Sequence, residues 1–225
     1  PPNTDSVLVQ ADQALREANF ALAEQLATNA LAHLQANSQQ DPSQFILVYH
    51  ILGNVALEQS APDSALVWFQ KGLTVTNGQP DLDELDMAKI YNDLGNYHMN
   101  MRAFEAAQNR YQQALEIRKK NYDWGHPELA NSHSNIGNYY LAMGQDQVAD
   151  KWLTSALRMR RQELPAIHPD LASSYYNMAD LRFYQNDFKA SFEYAEKAKD
   201  VRAQLYPNGH PSLGRSWLQI ARYHQ

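Results

Sequence analysis

The sequence predicts an all-α fold, an α-solenoid of antiparallel helical hairpins stacked at a fixed period. Three observations carry that expectation. His126-Pro127, His168-Pro169 and His210-Pro211 follow one another at 42-residue intervals. Small residues recur in step: Gly53, Gly95, Gly137, Ala179 and Ala221 form one column, and Ala30, Gly72, Ala114, Ala156 and Ala198 another. Apolar residues within each interval recur at helical spacing, and period-two alternation is absent, so no strand is expected.

The interval from Pro127 to Pro169 shows how one hairpin is written. Proline suits the first turn of a helix, and Glu128 behind it favours the positive end of the helix dipole. Leu129, Ile136, Tyr140 and Met143 continue at helical spacing, and Gly144 ends the run. A second helix starts near Asp146 and carries Val148, Ala149, Trp152, Leu153, Ala156, Leu157 and Met159. Pro165 closes it and leads to the next His-Pro.

The same reading places leading helices near 5–17, 43–58, 84–100, 128–143, 170–185 and 212–225. Second helices fall near 20–36, 62–77, 104–121, 146–163 and 188–205. One array is expected over 1–225, in units 1–40, 41–82, 83–124, 125–166 and 167–208, followed by a lone leading helix at 209–225. Asn77-Gly78-Gln79-Pro80 marks the clearest loop between units. The small columns have a cause: Gly137 sits where the two helices of a hairpin cross, and Ala149 and Ala156 face it, so the backbones approach closely.

Composition excludes several function classes. The net charge of −6 argues against nucleic acid and anionic membrane as partners. No run of 18 apolar residues is present, so no membrane insertion is expected. Zero cysteines exclude disulfides, thiolate metal sites and thiol nucleophiles, and they suit a cytoplasmic or a periplasmic compartment. The chain opens Pro1-Pro2-Asn3 without a methionine or a signal peptide, as a processed or truncated start would.

The residues also resemble tetratricopeptide repeats. Gly95, His98, Ala107 and Ala114, then Gly137, Tyr140, Ala149 and Ala156, follow that family's spacing. The 42-residue period, the His-Pro at the unit start and the Ala114-Leu115-Glu116-Ile117-Arg118 sequence are similar to the kinesin-light-chain type. The second unit departs from the pattern, with Asp41-Pro42 one residue short of the His-Pro site and Pro62 at an aromatic position. The resemblance implies a right-handed superhelix with leading helices lining a concave groove that binds peptides or partner proteins.

No motif for catalysis appears: GxGxxG, a phosphate loop, GxSxG and HExxH are all missing. His126, His168 and His210 belong to different units, whose helices would lie about 8–10 Å apart. One zinc ion needs ligands at about 2 Å, so local bonding at helix starts is expected instead, with no metal and no cofactor. Asp81, Asp83, Glu84 and Asp86 lack a calcium-loop pattern and sit where a helix begins. Arg118, Arg160 and Arg202 lie near the ends of second helices, where cations are favoured. Trp68, Phe69, Phe104, Tyr111, Trp152, Phe188 and Phe192 are expected to pack between units. Tyr175, Tyr176, Phe183 and Tyr184 exceed what one core face takes.

One stripe is harder to explain as core. Asn54, Asn96 and Asn138, then Asp180, directly follow the small-residue column. Residues three, four and seven earlier share its helix face. The candidate peptide-binding residues are therefore Lys89, Asn92, Asn96, Asn131, Ser134, Asn135, Asn138, Tyr176, Asn177 and Asp180. An asparagine amide both donates and accepts, so it would clamp a peptide group. Lys89 would hold a carboxylate, and Asp180 a basic residue.

The expected function is a non-catalytic protein-interaction scaffold that binds an extended peptide or protein segment. The alternative is a self-associating or regulatory module attached to an enzymatic or signalling domain. In that case the apolar face of the last helix (Leu213, Trp217, Leu218, Ile220) would meet another molecule, in a homodimer through terminal helices or in a larger parent.

Overall fold

A computed structural model describes residues 4–36, 41–76, 83–207 and 209–222. The expected Asn77–Pro80 loop and Asp81 lie outside them. The described residues form eleven α-helices and no strand. They are α1 (Thr4–Arg16), α2 (Phe20–Ala36), α3 (Pro42–Glu58), α4 (Pro62–Thr76), α5 (Glu84–Asn100), α6 (Phe104–Asn121), α7 (Pro127–Ala142), α8 (Asp146–Glu163), α9 (Pro169–Tyr184), α10 (Phe188–Leu205) and α11 (Pro211–Ala221). The ends fall within a residue of those expected from sequence, except that α11 stops at Ala221 where a helix to 225 was expected.

The chain divides into two compact units, Pro1–Ile117 and Arg118–Gln225. In the first, α1 pairs with α2 and α3 with α4, while the leading helices α1, α3 and α5 lie side by side. In the second, α7 pairs with α8 and α9 with α10, α11 packs on α10, and α7 touches α9.

Every hairpin turns in the same way. Ala18, Ser60, Arg102, Gly144 and Asn186, each 42 residues from the next, all have φ between 56° and 70°. The next residue's N–H reaches back five residues, as in Ala61 to Ala56, Ala103 to His98 and Gln145 to Tyr140. This closes the open carbonyls of the leading helix. Only Gly144 adopts the left-handed backbone without a side-chain penalty.

The starts of the leading helices α3, α5, α7, α9 and α11 are capped by side chains. Asp41 and Asp83 accept from the N–H groups of Ser43 and Leu85, both at 2.9 Å. The three histidines do the same with Nδ1, accepting from Glu128, Asp170 and Ser212 at 3.2, 3.1 and 3.1 Å. Tyr122 and Tyr206 stack on His126 and His210, with ring centroids 3.6 and 4.2 Å apart.

At the crossings, volumes are complementary. A Cβ at Gly137 would stand 2.6 Å from the Leu153 side chain, and at Gly53 and Gly95 it would strike the Phe69 and Tyr111 rings. Where the column holds Ala179, the facing position sixteen residues on holds Ala195, and both are fully buried. Two of the expected core aromatics are not core: Phe188 and Phe192 are 51% and 36% exposed. They lie on α10, whose buried stripe runs through Ser191, Ala195, Ala198, Val201 and Arg202 instead.

Candidate protein-interaction face

Leading-helix positions of the second unit are organised by buried arginines. Arg118, Arg160 and Arg202 are 5%, 4% and 6% exposed. Each donates to a serine fourteen residues on: Ser132 at 2.8 Å, Ser174 at 2.7 Å and Ser216 at 2.7 Å. A second helix is thereby tied to the leading helix that follows it. The equivalent junctions in the first unit are Leu34 with Val48 and Thr76 with Ile90, all buried. Arg118 also pairs with Glu128 at 2.7 Å. Among the described residues Arg160 and Arg202 have no carboxylate partner and rest on neutral oxygens. Burial lowers the Arg160 pKa, and burial with nearby Arg215 brings Arg202 down to about 10. Both stay charged at neutral pH.

These arginines draw in part of the expected polar stripe. Ser134, 5% exposed, accepts from Arg160 at 3.0 Å, and the Asn131 carbonyl accepts from the same guanidinium. Ser134 is therefore a buried junction residue, not an open contact. The Tyr176 ring lies 5.1 Å from the Arg202 guanidinium. Asp180 accepts from Gln219 at 3.0 Å and Arg222 at 3.2 Å, so its expected basic partner comes from this chain. Burial raises the Asp180 pKa, and those two bonds oppose the rise. Asn135 is half-buried and bonded internally. Asn138 and Asn177 are half-buried with no side-chain partner among the described residues.

On the first unit, Lys89, Asn92 and Asn96 share one face of α5 by their spacing and are half-buried. Tyr111 donates to the Asn96 carbonyl at 2.9 Å, so one of that oxygen's two lone pairs is already taken from within the chain. Asn92 is engaged internally, while Lys89 has no partner among the described residues. Beside them His50 Nδ1 meets the buried Asp93 carboxylate at 2.6 Å, and its Nε2 lies 4.0 Å from Asp12. Asn54 donates to the His50 carbonyl at 2.8 Å.

The serines were missed in the sequence, although Ser132, Ser174 and Ser216 recur at the same 42-residue period as the arginines. Among the described residues there is no group of three or more His, Cys, Asp or Glu side chains placed to hold a metal ion. No helix of the described residues is long and apolar enough to cross a membrane.

Family models support what this geometry suggests. One described as Tetratricopeptide repeat matches residues 86–162, and a second of the same description matches 171–212. Together they take in just over half of the chain. The chain belongs to the tetratricopeptide-repeat family. This repeat array is similar in structure to BtubC (BKLC) from P. vanneervenii, with a TM-score of 0.66, 25% identity, and 92% of this chain and 82% of that one covered. Putative kinesin light chain repeats from Podosopora anserina superpose with a TM-score of 0.61 at 17% identity, covering 91% and 96%. A Rap protein complexed with Competence and Sporulation Factor gives 0.70 at 14% identity, covering 98% and 71%. The last two likenesses show the tetratricopeptide fold alone. No curated protein matches the chain significantly.

Proposed function

We propose that this tetratricopeptide array is a non-catalytic scaffold that binds an extended peptide or protein segment on its leading helices. The observation that carries this reading is the state of Asn138 and Asn177. Both are half-buried on the leading-helix face, and neither amide has a side-chain partner among the described residues. A half-buried amide without a partner is costly unless a ligand or water completes it, and a peptide group supplies both the donor and the acceptor it needs. Asn135 lies on the same face and frames that strip. Lys89 plays the equivalent part on the first unit's face, as a half-buried cation for a carboxylate.

Membership of the tetratricopeptide family supports a protein-interaction role, and the Rap protein of this fold was solved with a bound factor. The test uses a displayed library of random peptides selected on the wild-type chain. Asn138→Ala with Asn177→Ala should weaken the selected peptides roughly tenfold while leaving helicity intact, because two amide bonds to the ligand are lost. Equal affinity of every selected peptide for wild type and variant rejects the reading.

A further inference from the structure

The side of the second unit opposite in character to that amide strip carries a cationic cleft. It runs along α8, with the end of α9 and the middle of α10 as its far wall. Two cavities of about 570 and 490 Å³ lie along it and share Thr154 and Arg158. Four cations line them: Lys151, Arg158, Arg161 and Arg182. The lining includes one carboxylate, Asp150, which is already paired with Arg182 at 2.7 Å and accepts from Thr154 at 2.9 Å. In a chain of net charge −6, this concentrates positive charge on one surface.

The cations are largely uncommitted. Lys151 and Arg161 are exposed and have no side-chain partner among the described residues. Arg158 is exposed and rests over the Trp124 ring at 5.2 Å, a ring itself 57% exposed. At the Arg161 end the floor turns apolar, formed by Leu157, Met178 and Tyr194. Leu157 and Met178 are buried beneath it, so the floor is rigid.

The shape decides between ligand classes. From Gln147 to Gln162 the α8 side of the cleft is about 22 Å long, at 1.5 Å per residue. That length accommodates about six or seven residues of extended chain. A small anion would use one end and leave most of the cations unmatched.

We propose that the α8–α10 cleft binds an acidic peptide segment of a partner protein. Its carboxylates pair with Arg158 and Arg161, and an adjacent apolar side chain settles on Leu157, Met178 and Tyr194. Arginine suits this task because its planar fork takes a carboxylate through two bonds. The cleft is separate from the leading-helix strip, so one array has two faces of different chemistry: amides on one, cations on the other.

A displayed random heptapeptide library tests this, selected in parallel on the wild-type chain and on Arg158→Glu with Arg161→Glu. Both positions are exposed, and an unchanged melting curve for the variant confirms that it folds; Arg158→Gln with Arg161→Gln serves if it does not. The wild type should enrich peptides with acidic residues beside an apolar one. Their affinity should fall roughly tenfold or more in the charge-reversed variant and also weaken in high salt. Enrichment without acidic residues, no enrichment at all, or equal binding to the variant overturns the proposal. So does displacement of the peptide by low-millimolar inorganic phosphate, which would assign the cleft to a small anion. Peptides lost in Asn138→Ala but retained in the charge-reversed variant bind the leading-helix strip and count against the cleft, without touching the reading of that strip.

Discussion

Arg160 and Ser174 hold α8 to α9 through a hydrogen bond of 2.7 Å between two side chains that are each almost fully buried. The pair is one rung of a column that recurs at Arg118 with Ser132 and at Arg202 with Ser216. The equivalent positions in the first unit hold Leu34 and Val48 at one junction and Thr76 and Ile90 at the next, all buried. One architecture therefore accepts an apolar or a charged-polar junction, provided that both partners change together. A buried cation left without acceptors, or an acceptor left without its donor, loses its solvation with no return.

Arg160→Leu should accordingly destabilise the chain by about 2–3 kcal/mol, since Ser134, Ser174 and Asn131 lose a shared donor. In a double-mutant cycle with Ser174→Ala, urea unfolding should return a coupling of about 1–2 kcal/mol. Additive losses would show that the serine contributes nothing to the junction.

The crossing of α7 with α8 is governed by volume. Gly137→Ala should cost about 1–3 kcal/mol, because the new methyl would stand 2.6 Å from Leu153 and 3.3 Å from its backbone nitrogen. Leu153→Ala alone leaves a cavity and costs about 2–5 kcal/mol. Combined, the two reproduce the Ala179–Ala195 pairing, and thermal unfolding should give a loss smaller than the sum. A sum or more would mean that the backbones do not approach as the structure has them.

His133 gives the fold a pH dependence. Its ring is 6% exposed, meets Trp152 edge-on at 4.8 Å and bonds Ser155 at 3.0 Å. Burial, with Lys119 adding to it, brings its pKa down from 6.5 to about 4. The folded state therefore favours the neutral ring, and the unfolded chain binds the proton first. Stability contributed by this group is full above pH 6.5 and is lost as pH falls from there through about 4. The loss is on the order of 3 kcal/mol. Unfolding free energies across that range should slope downward toward acid in the wild type. His133→Phe should remove most of the slope; an unchanged slope assigns it elsewhere.

The fold was largely legible in the sequence because its signals are local. A repeated proline, a small residue at the crossing and a run of helical spacing each act within a few residues. Gly144 marked a turn whose left-handed backbone is also adopted by Ala18, Ser60, Arg102 and Asn186, three of which gave no compositional hint. The histidines capped helices as their position before proline implied. The candidate face was less legible, because whether an amide faces a ligand depends on which distant side chain reaches it first. Asn96 is met by Tyr111 and Asp180 by Gln219, contacts that bridge 15 and 39 residues. Ser134 looked like part of the polar stripe and is instead covered by Arg160. The exposure of Phe188 and Phe192 likewise follows from how α10 is rotated on α9, which composition does not report.

Hydrogen–deuterium exchange of the chain with a peptide selected on it tests the central claim most directly. Binding on the amide strip predicts slowed exchange in α7 and α9 around Asn138 and Asn177, abolished by Asn138→Ala with Asn177→Ala. A selection in which no peptide slows exchange in α7 and α9, or one whose peptides protect α7 and α9 equally in that variant, would contradict it.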